Sequence, residues 1–291
     1  MSGASKTIVL IHGLWMTPAS WDRFREFYEA RGCRVLAPAW PRMHGSVQEL
    51  RHDPSALAGL GLLEIAAHYE TIIRSLDERP ILIGHSMGGL IVQMLLDRGL
   101  GTAGVSISGT APKGVFRLPF SVIKAANPVL SNPLNFWRCV KLTFGEFHYA
   151  FGKNMTKADA REAYFQYLIP GPGRPIFQAA FANITPWAAS EVNHFNGDRA
   201  PLLLISGTED LLVPPILNRI NYKLYQSACA VTEYKEFPNR SHLIINQEGW
   251  EEVADFVLTW TNAGTNASSL PEGLSAKPDF KTHEMHAMTK H

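Results

Sequence analysis

Short apolar runs recur along this chain at Thr7–Ile11, 35–37, 80–83, Ala103–Ile107 and 202–205, with stretches of helical periodicity between them. A strand that is apolar at successive positions has no face to give to water, so it must be covered on both sides. Helices that cross over a sheet and return the chain parallel to the previous strand meet that demand. The expected class is therefore α/β: a mostly parallel central sheet with helices on both faces. Residues 231–237 differ, because Thr232, Glu233, Lys235 and Glu236 interrupt the run, and they suit an edge strand. Helices are expected at 20–30, 63–76, 87–96 and 251–260; in the last, Val253, Phe256, Val257 and Trp260 share one face.

Charge narrows the range of partners. A formal net charge of +1, with 18% charged residues in 291, provides neither a basic stripe for nucleic acid nor an acidic tail. A neutral or weakly charged small molecule is the expected partner. Cys33, Cys139 and Cys229 are odd in number and widely spaced, which argues against a disulfide framework or a zinc ribbon and for buried thiols. His283 and His286 have a helical metal-pair spacing but no third ligand nearby, so no metal and no cofactor are expected. No apolar run reaches membrane-spanning length. Met1 leads within a few residues into the first strand, and the expected compartment is the cytoplasm.

One turn carries the chemistry. After the run at 80–83 come Gly84, His85, Ser86, Met87 and Gly88, and then an apolar helix. A serine between two glycines at this spacing fits a strand-to-helix turn so tight that side chains at positions 84 and 88 would clash. A serine hydroxyl needs a base within hydrogen-bond reach, and the base needs an acid to hold it. Asp210 follows the strand at 202–205, at the sheet edge where parallel α/β proteins place their sites; Glu209 is its rival. His242 follows the edge strand and precedes the final helix. His44, His52, His68, His148 and His194 are expected in surface or packing roles, and the His85 side chain is expected to point away from Ser86. The first strand ends in His12 and Gly13, a turn able to aim the backbone N–H of Leu14 at the site. The N–H of Met87, at the positive end of a helix, is the second expected donor to a developing oxyanion.

Between residues 111 and 199 the alternation stops, and about half of the chain's aromatic residues crowd into that third. Helix-like pieces there are broken by Pro128, Pro133, Pro170 and Pro172. The expected arrangement is a helical cap over the catalytic edge of the sheet. Most rings should hold the cap together, while Trp15, Phe144, Phe147 and Trp187 are expected to line a substrate pocket. The organisation is then residues 1–110 and 200–262 as core, 111–199 as cap, and 263–291 as a polar, disordered tail.

With these residues in place, the chain resembles the α/β-hydrolase superfamily over about residues 6–261. The resemblance implies the α/β-hydrolase fold with a cap between the family's sixth and seventh strands, and a serine triad of Ser86, Asp210 and His242 that needs no cofactor. It implies oxyanion donors at Leu14 and Met87. One departure is that the first strand here corresponds to the family's third. Branches with aspartate at the elbow, the haloalkane dehalogenases and epoxide hydrolases, are disfavoured by Ser86. Plant hydroxynitrile lyases, with lysine after the base, are disfavoured by Leu243. The expected activity is hydrolysis of carboxylic esters of small, partly apolar substrates through an acyl-enzyme. A lactonase, a carbon-carbon bond hydrolase or a cofactor-free perhydrolase or haloperoxidase would carry the same triad, and a non-catalytic receptor could keep the fold. The protein is expected as a monomer or homodimer.

Overall fold

The computed structural model describes residues 6–264. Its strands are β1 (Thr7–Ile11), β2 (Arg34–Leu36), β3 (Ile81–His85), β4 (Ala103–Ile107), β5 (Cys139–Val140), β6 (Gly171–Pro172), β7 (Leu202–Gly207) and β8 (Thr232–Phe237). Six of them form one sheet in the order β2-β1-β3-β4-β7-β8, and every neighbouring pair is parallel. The helices are α1 (Asp22–Glu29), α2 (Val47–His52), α3 (Leu62–Arg74), α4 (Met87–Asp97), α5 (Phe120–Leu130), α6 (Phe144–Phe151), α7 (Lys157–Tyr167), α8 (Arg174–Ala180), α9 (Pro215–Tyr225) and α10 (Trp250–Gly264).

Alternation along each strand sorts the core into two layers. Ile8, Leu10, Ile81, Ile83, Val105, Leu203 and Ile205 pack beneath α1 and α10, against Trp21, Phe24, Val253 and Val257. The opposite residues, Val9, Ile11, Leu82, Leu202 and Leu204, join α3, α4, α9 and the segment between β4 and β7. Both faces are closed, as the unbroken apolar runs require. β8 is an edge strand.

β3 and β7 run two residues beyond their expected ends. Gly84 and His85 continue the ladder opposite Ser106 and Ile107, so pairing outlasts the apolar stretch. The final helix also runs past Trp260, since Thr261 is buried and its hydroxyl donates to Leu258 O at 3.0 Å. Pro128 lies inside α5 rather than ending it; the carbonyls of Pro128 and Val129 accept from Asn135 Nδ2 instead. Cys33 and Cys139 are only half-buried and Cys229 is exposed, which corrects the expectation of buried thiols. The expected tail lies, from residue 265 onward, outside the described residues, as do His283 and His286.

β4 and β7 are adjacent in the sheet, yet 94 residues separate Ile107 from Leu202 in the chain. This insertion carries α5 to α8 and the small β5-β6 ribbon. Arg51 on α2 holds the end of α7 by donating to the carbonyls of Tyr164, Phe165 and Leu168. The Ile169 N–H donates to Trp15 O at 2.9 Å, and Trp15 Nε1 donates to Val140 O at 2.9 Å. The insertion is therefore tied to the turn after β1.

Backbone contact at the centre allows no extra atom. A Cβ on Gly88 would lie 2.1 Å from Ile11 O, and one on Gly84 would lie 2.2 Å from Gly88 O. Gly88→Ala is expected to lower the melting temperature by roughly 5–10 °C, from the cost of overpacking in a chain of this size. Gly145→Ala, where a Cβ meets nothing within 4 Å, should leave it unchanged or slightly raised. Equal melting temperatures for the two variants would contradict this account.

Candidate active site

Ser86 occupies a backbone conformation that few side chains adopt, with φ 56° and ψ −119°. Such a conformation costs on the order of 1–3 kcal/mol and persists only where the surroundings impose it. Here its N–H donates to Ile107 O at 3.0 Å, and its carbonyl accepts from Gly89 at 2.9 Å and Thr110 at 3.0 Å. The turn holds the hydroxyl against the 13–14 loop: a Cβ on Gly13 would lie 2.9 Å from Ser86 Cβ.

Three side chains from three loops converge there. His242 Nε2 is 2.9 Å from Ser86 Oγ, and His242 Nδ1 is 2.8 Å from Asp210 Oδ2. The second carboxylate oxygen of Asp210 accepts from the backbone N–H groups of Leu212 at 2.9 Å and Val213 at 2.7 Å. With one oxygen held by its own loop, the other is fixed toward the imidazole. Glu209 is exposed, so geometry selects Asp210 over its neighbour. All three members are buried, and Ser86 retains 5% exposure. The arrangement can pass a proton from hydroxyl to imidazole while the carboxylate stabilises the resulting cation.

Leu14 and Met87 flank this centre. Among the described residues, neither backbone N–H donates to another protein group. Met87 is the first residue of α4, where the helix dipole is positive. The orientation of the Leu14 N–H is set by His12, whose Nδ1 bonds Gly13 O at 2.9 Å. Gly13 O and the Leu14 N–H belong to one planar trans peptide and point in opposite directions. Fixing the first therefore fixes the second. The His12 ring also stacks on Trp40 at 5.0 Å and accepts the Trp40 N–H at its Nε2.

His85 has a supporting role that its spacing did not show. Its side chain is not remote from the site: Nε2 lies 2.7 Å from His242 O, and the two rings are 4.9 Å apart. The strand places it on the face where the 242 loop passes, so it steadies that loop. Phe151, at the end of α6, meets the His242 ring edge-on at 5.0 Å, and its carbonyl accepts the Leu243 N–H at 2.9 Å. Nothing in the spacing of the aromatic residues distinguishes Phe151 from its neighbours.

The expected pocket residues divide. Trp15 is buried, 6.1 Å from Phe151, and so lies one ring away from His242. Phe147 is buried between Phe151 and Tyr164, a packing position behind Phe151. Phe144 stacks on His148 and meets Tyr164 and Arg161, contacts within the insertion. Trp187 is 92% exposed, so its ring lies in solvent rather than in an enclosed pocket. A groove of about 1140 Å³ lies between α7 and the loops carrying Glu209 and Arg240, and no triad residue lines it. Among the described residues no three His, Cys, Asp or Glu side chains converge as a metal site.

Burial pushes the His12 imidazole down from 6.5 to about 4, although its bond to Gly13 O opposes this. Burial, then the nearby His242, pushes His85 down to about 3. Both rings are therefore neutral in the fold and bind protons more readily when unfolded. Below about pH 6.5 the unfolded state gains protons first, so stability falls as pH drops toward 4. His12 alone contributes roughly 3 kcal/mol to this loss. Thermal melts from pH 7 to pH 4 should show the decline, and His12→Gln should make it shallower; an unchanged slope would count against the assignment.

The pattern of the alpha/beta hydrolase family matches residues 8–256. No curated relative matches in sequence. Among solved structures, the chain is similar to a monoacylglycerol lipase from Paleococcus ferrophilus, with 24% identity, 89% of this chain and 94% of that one covered, and a TM-score of 0.58. It is similar to a pyrethroid hydrolase from Sphingobium faniae, with 19% identity, 90% and 100% coverage, and a TM-score of 0.59. A protein from Mycobacterium tuberculosis described as a non-heme bromoperoxidase gives 19% identity, 90% and 94% coverage, and a TM-score of 0.64. At these identities the structural likeness establishes the fold, and the family pattern spans the β1 turn, the elbow and both loops of the site. The chain belongs to the alpha/beta hydrolase family.

Proposed function

We propose that this protein is a serine hydrolase that cleaves carboxylic esters through an acyl-enzyme on Ser86. The observation that carries the reading is the continuous path from Ser86 Oγ through both nitrogens of His242 to Asp210, at 2.9 and 2.8 Å. In the proposed cycle Ser86 Oγ attacks the ester carbonyl carbon while His242 Nε2 takes its proton. The carbonyl oxygen becomes an oxyanion facing the N–H groups of Leu14 and Met87. Each such donor typically lowers the barrier by about 3–4 kcal/mol. Collapse of the intermediate breaks the bond to the alcohol, which leaves with the proton from His242. Water, deprotonated by the same nitrogen, then attacks the acyl carbon; the bond to Ser86 Oγ breaks, Ser86 takes the proton back from His242, and the acid is released. Residues 111–199 act as a cap over this site, with Trp15 and Phe151 favouring a substrate that is partly apolar near the base.

Ser86→Ala should lower ester turnover by roughly 10,000-fold or more while leaving the melting temperature unchanged. A fluorophosphonate probe should label wild-type protein at Ser86. No labelling of folded protein would favour a ligand receptor on the same fold. Asp210→Asn should lower kcat by about 10,000-fold with little change in KM, since it loses the imidazole orientation rather than substrate contacts. Aryl esters of graded acyl length, assayed beside lactones, diketones, and acetate with hydrogen peroxide, should be turned over fastest as esters. Faster turnover of any other class would replace this reading with that one.

A further inference from the structure

The insertion exposes a set of large apolar side chains that the site does not explain. Phe116, Phe120, Trp137, Phe181, Ile184 and Trp187 are between 47% and 92% exposed. Trp137, Phe181 and Ile184 are joined by contacts beneath them. Trp137 meets Phe136 at 4.9 Å, Phe136 meets Phe177 at 5.8 Å, and Phe177 stacks on Phe181 at 6.2 Å. The Ile184 N–H donates to Phe181 O. The Asn183 side chain then bonds Gly114 N and Val115 O, each at 2.8 Å, which ties the segment carrying Phe116 to the one carrying Ile184. Soluble monomers rarely leave so many large apolar side chains together in water.

The charge within these segments is mainly positive, and the nearby carboxylate of Glu191 is paired with Lys113 at 3.2 Å. No Asp or Glu occurs from residue 98 to 145 or from 163 to 190. Arg117, Lys124, Arg138 and Lys141 lie within or beside the apolar segments and, among the described residues, form no ion pair. In a two-fold dimer the same patch would meet itself and set these cations against one another. An anionic bilayer complements them: aromatic rings enter the headgroup boundary while lysine and arginine stay at the phosphates. No helix among the described residues is long and apolar enough to cross a membrane, so the contact is peripheral. We infer that the exposed aromatic face of the insertion docks the protein on anionic phospholipid surfaces. Trp137 lies two residues before β5, whose Val140 carbonyl holds Trp15. The docked face thus adjoins the β1 turn, and the inference stands whether or not esters are the substrate.

Binding is read without turnover, by sedimenting the full chain with vesicles of equal parts phosphatidylglycerol and phosphatidylcholine, and with phosphatidylcholine alone. The protein should pellet with the mixed vesicles and remain in solution with the neutral ones, and added salt should weaken the binding. The combined variant Phe116→Ser, Phe120→Ser, Trp137→Ser should weaken it by at least about tenfold. Arg117→Gln and Lys124→Gln should each weaken it by about fivefold. Unchanged melting temperatures would establish that these variants are folded. Three results would overturn the inference: no pelleting with either vesicle, equal pelleting with both, or a solution dimer that the combined aromatic variant dissociates.

Discussion

The site rests on backbone packed against backbone. The β1 strand, the elbow and the first turn of α4 approach so closely that Gly84, Gly88 and Gly13 are each in a place where a methyl group would meet a carbonyl or Ser86 itself. Because these contacts involve main chain, no side-chain rearrangement can relieve them. They hold Ser86 in its unusual conformation, start α4 at Met87 and set the β1 turn against the nucleophile. The remaining site residues reach a serine that is already fixed.

Two histidines outside the triad then extend that rigidity. His12 determines where one N–H points by holding the opposite end of its peptide, and His85 holds the carbonyl of the base itself. Each works as a neutral donor, which burial ensures. The same burial that makes them dependable at neutral pH makes them costly in acid. The geometry of this site is therefore sustained partly by groups whose protonation belongs to the unfolded chain.

The sheet and the meeting of Ser86, Asp210 and His242 were legible in the sequence because both obey local constraints. Strands buried on two faces must be apolar throughout, and the elbow glycines follow from contacts within a few ångströms of the chain. Asp210 and His242 could be placed because each follows a recognisable strand. The insertion was not legible in this way. Phe147, Phe151 and Trp187 look alike in a sequence of helical pieces, yet one is core, one touches the base and one faces water. An aromatic residue fits all three places, and only the tertiary arrangement distinguishes them. The supporting role of His85 was missed because it depends on a loop 157 residues away.

The hydrogen bond from Leu243 N–H to Phe151 O joins the last residue of α6 to the residue after the base. With the edge of Phe151 also against the imidazole, α6 and the His242 loop are held together at one joint. Any outward movement of α6 must break this bond or pull His242 with it. Under the proposed mechanism, a substrate that displaced α6 would meet a displaced base, and proton transfer would have to await its return. The proposed chemistry is thereby tied to the position of α6 through one backbone hydrogen bond and one ring edge.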